Sequence, residues 1–197
     1  WENIGIRLGA PETALAADAT GLQLNLASPH LAGPMGEVLL ECENVGQTIA
    51  GSFHFLHGAD SVAGMAVVDC AAGDIESAAK ALYDELLGQA EGWNLYRLWN
   101  FVPRINEESR GQENYHAFKS GRWKAFAQAY GKAGMNSRLP AASAVGLEEG
   151  QDRLAVVFVG GKQAVKYFEN PRQTPAYQYP REFGPCSPSF ARGAVVE

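Results

Sequence analysis

The sequence is short of cysteine, of long apolar runs and of clustered positive charge, and each shortage excludes a class of protein. Three cysteines in 197 residues, Cys42, Cys70 and Cys186, are an odd number at wide spacing. They do not make a disulfide framework and read as reduced, cytosolic thiols. No apolar run approaches the roughly 18 residues that cross a bilayer. No stretch pairs a basic start with an apolar core in the manner of a signal peptide. Lys and Arg total 16 against 22 Asp and Glu, giving a net charge of −6. That balance, without a basic cluster, does not suit a nucleic-acid surface. There is no Ser-His-Asp order, no P-loop and no dinucleotide fingerprint, so no cofactor is expected. His54 and His57 point to opposite faces of a regular strand and do not chelate one ion together, so no metal is expected either.

What is present is an ordinary globular composition, 46% hydrophobic and 19% charged, enough for one good core. Residues 1–36 are rich in Ala, Gly, Pro and Thr with weak periodicity. They read as a loop-rich wrap in which Gly21–Leu26 is one short strand. Gly36–Glu43, Gln47–Leu56 and Ser61–Ala71 read as three strands with a turn at 57–60. From Gly73 to Glu91 the apolar period changes to that of a helix, with Asp74 and Glu76 placed where a helix dipole favours anions. Trp93–Pro103 alternates as a strand, and Gln112–Tyr130 is a second helix closed by Gly131. Three short strands follow over 141–146, 153–159 and 163–168, with turns at Glu149-Gly150 and Gly160-Gly161. The order predicts an α+β domain over residues 37–170, a mixed sheet with two helices on one face.

The densest feature comes last. Residues 171–192, PRQTPAYQYPREFGPCSPSFAR, hold five prolines, three arginines and four aromatics. Each proline removes a donor and restricts its predecessor, so the path is extended and irregular. Arginines on such a path suit a planar carboxylate, or staple two parts of a protein together. A second polar cluster, Tyr96, Arg97, Trp99, Asn100, Arg104 and Asn106, lies along and just beyond a strand, where side chains hold a neighbouring loop or line a site. Arg122 interrupts the apolar stripe of its helix and Arg138 precedes Leu139-Pro140. Ordinary surface ion pairs are the expectation for both. Glu41 and Glu43 share one strand face and read as a solvated edge, while Cys42 and Cys70 lie in apolar strands and read as core residues. The chain starts on Trp1, and Gly193–Glu197 reads as the opening of a strand, which suggests part of a longer protein.

Four blocks in succession, YRLWNFVPRIN (96–106), GQENYHAFKSGR (111–122), LPAASAVG (139–146) and residues 171–192, resemble the signature blocks of the chorismatase family. The resemblance implies hydrolysis or rearrangement of chorismate, with release of pyruvate and a dihydroxycyclohexadiene carboxylate or a hydroxybenzoate. It implies an N-terminal portion like this chain, then a second domain of the YjgF/RidA and chorismate-mutase type that supplies the acid–base glutamate. A fold of that type implies a trimer or pseudo-trimer. Residues 171–197 would link the two parts. The same resemblance marks Arg172, Tyr179, Arg181, Phe183, Cys186 and Arg192 as substrate-binding positions, and the ligand as an aromatic or cyclohexadiene carboxylate. Family members commonly read Tyr-Gly-Pro-Arg where this chain has Phe183-Gly184-Pro185-Cys186, which removes a hydroxyl and a guanidinium. The chain alone is expected to be inactive. The alternative is a non-catalytic domain that binds an aromatic acid or a protein partner. Imine hydrolysis of the Rid type is a weaker reading, since shared fold does not give function.

Overall fold

Short stretches of period two build most of the chain. The computed structural model describes residues 2–43, 46–71, 73–135, 137–147, 150–180, 182 and 184–197. Strands β1 (Glu2–Arg7), β2 (Ala14–Asp18), β3 (Gly21–Asn25) and β4 (Gly36–Cys42) form a four-stranded sheet ordered β2-β3-β1-β4. β5 (Gly46–Ala50), β6 (Phe53–His57), β7 (Ser61–Asp69), β8 (Asn94–Val102), β11 (Ala141–Gly146) and β12 (Arg153–Gly161) form a six-stranded sheet ordered β11-β8-β12-β7-β6-β5. Only β11 and β8 run parallel within it. Between β7 and β11 lie helix α1 (Ile75–Gln89), the two-residue ribbon strands β9 (Glu108–Ser109) and β10 (Gln112–Glu113), and helix α2 (Asn114–Gly134). A last ribbon pairs β13 (Val165–Phe168) with β14 (Gly193–Val196).

The fold is α+β in three layers. One face of the six-stranded sheet buries Phe53, Phe55, Leu98, Val156 and Phe158 against Ile75, Leu82 and Tyr83 of α1 and Phe118 and Phe126 of α2. The opposite face buries Leu56, Met65, Phe101 and Val157 against Ile4, Leu22 and Leu24 of the four-stranded sheet. This alternation along each strand is why the sheet is covered on both sides. Among the described residues no helix is long and apolar enough to cross a membrane.

Four expectations need correction. Residues 1–36 are not a loop-rich wrap: β1 pairs parallel with β3 and antiparallel with β4, so the strands find their partners far along the chain. Asp18 caps the β2–β3 hairpin, its Oδ1 accepting from the Thr20 hydroxyl at 2.6 Å and from the Thr20 amide at 2.7 Å, and these bonds pull its carboxyl below the usual range. Arg153 ties the two sheets, donating to the Thr13 carbonyl at 2.5 Å. Second, Gly36–Glu43 belongs to this added sheet, so there is no single mixed sheet. Third, Gln47–Leu56 is a hairpin, turning at Gly51-Ser52. Fourth, Gly160-Gly161 is not a turn but the end of β12, where backbones crowd. A Cβ on Gly160 would stand 2.6 Å from the Asn94 carbonyl, and one on Gly161 2.7 Å from that of Asp60. The turn at Glu149-Gly150 includes residues outside those described.

α1 and α2 lie side by side, and Gly121 permits their approach: a Cβ there would meet the Glu76 carbonyl at 2.1 Å. α2 leaves helical geometry at Gly131 (φ 62°, ψ −177°), where the sequence predicts its end. Cys70 is 1% exposed, and burial pushes its thiol up to about 11, consistent with a structural role. The side chain of Cys42 lies outside the described residues.

Replacing Gly121 by Ala is expected to lower stability by about 2 kcal/mol or more, because rigid backbone must move. Gly88→Ala, in α1 with open space around it, is expected to raise stability by up to about 1 kcal/mol. Urea denaturation of both variants checks the helix contact.

Candidate functional site: a basic cavity beside α2

On α2, residues 115, 118, 119 and 122 share a face, since neighbours on a helix surface are three and four apart. Tyr115, Phe118, Lys119 and Arg122 form one wall of a cavity of about 370 Å³. Ala142, Ser143 and Ala144 of β11 form its floor, and Pro188, Ser189, Phe190 and Arg192 close the other side. The closing segment is fastened to the sheet. The Ala191 amide donates to the Pro140 carbonyl at 3.0 Å, and the Arg192 amide to that of Phe168 at 3.0 Å.

Arg122 dominates the site. It is 4% exposed, and its Nε and Nη2 have no hydrogen-bond partner among the described residues. Its guanidinium stands 5.1 Å from the Tyr83 ring centre and 5.3 Å from that of Phe126. Aromatic faces attract a cation but leave its N–H donors unsatisfied. Burial weakens its hold on the proton, as desolvation disfavours charge, while Tyr83 and Tyr115 oppose that effect. Tyr83 is itself fixed by donating to Asn100 Oδ1 at 2.5 Å, and Asn100 Nδ2 donates to the Ser143 carbonyl at 2.7 Å. One buried chain of bonds therefore joins the ring beneath Arg122 to the cavity floor. Ser189 Oγ is likewise buried without a partner.

Lys119 is 4% exposed and lies 5.8 Å from the Tyr115 ring centre, and burial lowers its proton affinity. Arg192 Nη2 donates to Tyr179 Oη at 2.6 Å, and its guanidinium stacks over Phe190 at 5.5 Å. Among the described residues that line the cavity, none is acidic. In a chain of net charge −6 this is a local reversal of sign. Two buried donor groups without partners among the described residues and three cations, with no acidic residue among the described lining, make a receptor for an anion with several oxygens. No set of acids, thiols and imidazoles gathers there to hold a metal among the described residues.

The structure divides the residues singled out in the sequence. Arg192 reaches the cavity, and Tyr179 holds it there. Arg172 is exposed, its amide bonded to Asn170 Oδ1 at 2.9 Å, and its side chain does not line the cavity. Cys186 lies just behind the wall, its Sγ 3.7 Å from Ser120 Oγ, and burial raises its thiol pKa. Arg181 and Phe183 lie outside the described residues. Among the described residues Arg122 and Arg138 make no ion pair; each stacks on aromatic rings, Arg138 on Tyr130 at 4.5 Å. In the strand cluster, Asn100 and Arg97 brace β11, Arg97 through Ser143 Oγ at 3.2 Å, while Arg104 pairs with Asp152. His54 and His57 play no part, and His57 bonds to Thr48. Lys119, Tyr115 and Ser189 are not marked as site residues by the sequence, and Arg122 stands out there only as an interruption of its stripe, with a surface ion pair expected. The available signal was the spacing Phe118, Arg122, Phe126, a cation in the middle of an apolar stripe.

This geometry agrees with what the chain resembles among known proteins. Residues 37–160 match the family model described as "Chorismatase FkbO/Hyg5-like, N-terminal". A 3-hydroxybenzoate synthase of Streptomyces hygroscopicus is 35% identical over 113 residues, 57% of this chain and 32% of that protein. A chorismatase from the same organism is 35% identical over 126 residues, covering 61% and 35%. The matched region spans about a third of the length of both curated relatives. A chorismatase crystal structure superposes with a TM-score of 0.82 at 21% identity, over 99% of this chain and 59% of that one, which shows the fold. With its three layers and basic cavity, the chain belongs to the chorismatase family.

Replacing Arg122 by Met keeps the length and removes the buried charge. Stability is expected to hold or to rise by about 1 kcal/mol, because a desolvated cation without a partner is replaced by an apolar side chain. A loss above about 2 kcal/mol in urea denaturation would instead make Arg122 a structural residue.

Proposed function

We propose that this chain is the substrate-binding portion of a chorismatase-type protein and that its cavity receives a carboxylate of chorismate. The observation that carries the reading is Arg122, buried with two donors unpaired in a cavity that no acidic residue lines. Arg offers a bidentate fork to a carboxylate, and in a dry site that contact is worth far more than in water. Lys119 and Arg192 add the charge that a second carboxylate requires. Tyr115, Phe118 and Phe190 supply flat apolar walls for a six-membered ring.

The chemistry of the whole protein, in this proposal, is protonation of the enol-ether methylene of chorismate followed by attack of water. The resulting hemiketal breaks down to pyruvate and a dihydroxycyclohexadiene carboxylate; the rearranging branch gives a hydroxybenzoate. Either branch needs a general acid to protonate the methylene. No carboxyl group lines the cavity among the described residues, and in this proposal the chain supplies binding rather than turnover. The acid would come from a YjgF-like domain elsewhere in the whole protein, with residues 171–197 as the link and a trimer or pseudo-trimer as the assembly. A second reading, an aromatic-acid-binding protein without turnover, is favoured by Cys186, whose thiol bonds to Ser120 and offers no guanidinium.

Calorimetric titration of the chain with chorismate tests the proposal. Saturable binding is expected, weakened at least tenfold in Arg122→Met and in Arg192→Ala and absent for the dimethyl ester, with no pyruvate released. Absence of binding, or equal affinity for the diester, would overturn it. With the whole protein, binding without consumption of chorismate would favour the second reading.

A further inference from the structure

We infer that Glu169 is the positioning residue that aims Arg192 at the cavity, an inference that rests on reading the cavity as a carboxylate site. β13 ends at Phe168 and β14 begins at Gly193, so their antiparallel pairing closes a neck around the excursion of residues 169–192. The Glu169 carboxylate sits inside that neck with its side chain 18% exposed. Its Oε1 accepts from the Arg192 amide at 3.2 Å, and its Oε2 accepts from the Ala176 amide at 3.4 Å. Oε2 also lies 4.0 Å from Arg192 Nε. One carboxylate therefore holds the backbone and the side chain of Arg192 and, through Ala176, the turn that leads to Tyr179. Tyr179 Oη then takes Arg192 Nη2 at 2.6 Å, and Phe190 lies beneath the guanidinium.

The placement has a mechanical sense. A long arginine on an irregular path has many rotamers, and freezing them on binding costs affinity. Glu169 holds the Arg192 amide and stands at ion-pair distance from the Nε end of the guanidinium, while Tyr179 holds one terminal nitrogen. Glu169 does not itself line the cavity, so it aims the cation without placing a carboxylate among the ligand's contacts. It lines a neighbouring recess instead, with Tyr167 and Tyr177. Glutamine at this position would turn one acceptor into a donor facing other donors, and aspartate would be a methylene too short to reach both amides.

The test uses Glu169→Gln, with Glu169→Asp as a milder second variant, in hydrogen-exchange and chorismate-titration experiments. The Ala176 amide, bonded to Glu169, is expected to exchange at least tenfold faster in Glu169→Gln while amides of β12 keep their protection. Chorismate affinity is expected to fall about tenfold in Glu169→Gln and by less than twofold when the same change is made in an Arg192→Ala background. A fall of equal size in both backgrounds, or an Ala176 amide that does not respond, would overturn the inference. If the wild-type chain fails to bind chorismate, the substrate reading fails. The exchange rate of Ala176 in the two variants then decides separately whether Glu169 holds the segment.

Discussion

A guanidinium only 4% exposed, with two of its nitrogens unpaired among the described residues, is the constraint that the rest of this structure serves. Moving a cation out of water without a counter-charge costs several kcal/mol, and natural cores avoid it. Here the charge is retained on a platform of two aromatic rings, Tyr83 and Phe126, which ease its burial without occupying its donors. Tyr83 is held by Asn100, and Asn100 by the backbone of β11. The cavity floor, the strand that bears Asn100 and the helix that bears Tyr83 are thus braced around one side chain.

That bracing explains the layering. Arg122 is presented by α2, α2 is set against α1 at Gly121, and both helices rest on one face of the six-stranded sheet. The opposite face is covered by the four-stranded sheet, so the central strands beneath the cavity are packed on both sides. The wall facing α2 has no regular structure of its own. Its prolines stiffen it, the β13–β14 ribbon pinches it at the neck, and Ala191 ties it to Pro140. Irregular backbone suits a wall that must present Ser189 and Arg192 side by side with a ring at Phe190.

Much of this was legible in the residues, for reasons that are local. The stripe Ile75, Ala79, Leu82, Leu86 and the glycine that stops α2 are signals written within one element, and they predicted the helices closely. The order of the longer elements from β7 to β13 followed in the same way, but the two-residue strands β9 and β10 did not, because residues 108–113 carry no strand pattern of their own. The N-terminal sheet was not legible, because β1 is short, partly polar and stabilised by partners at Gly21–Asn25 and Gly36–Cys42 rather than by its own pattern. Gly160-Gly161 misled because paired glycines mark turns and close backbone contacts alike, and only the neighbours decide. The proline-rich segment drew attention to its own arginines, and of those described one, Arg192, reaches the cavity. The stronger cation, Arg122, sat in a helix whose apolar stripe it merely seemed to interrupt. An interruption in the middle of a buried face is the sign of a site, but a stripe does not reveal that it borders a cavity.

The central claim is that Arg122 keeps its donors free for a carboxylate. The most direct measurement is the nitrogen-15 NMR signal of the Arg122 Nε–H group, assigned by its loss in Arg122→Met and followed as chorismate is added. The account predicts a downfield proton shift and slowed exchange with solvent that saturate together with binding, as expected when a charge-assisted hydrogen bond forms. A signal that stays unchanged while resonances elsewhere in the protein saturate would show that the ligand binds without Arg122, and would contradict it.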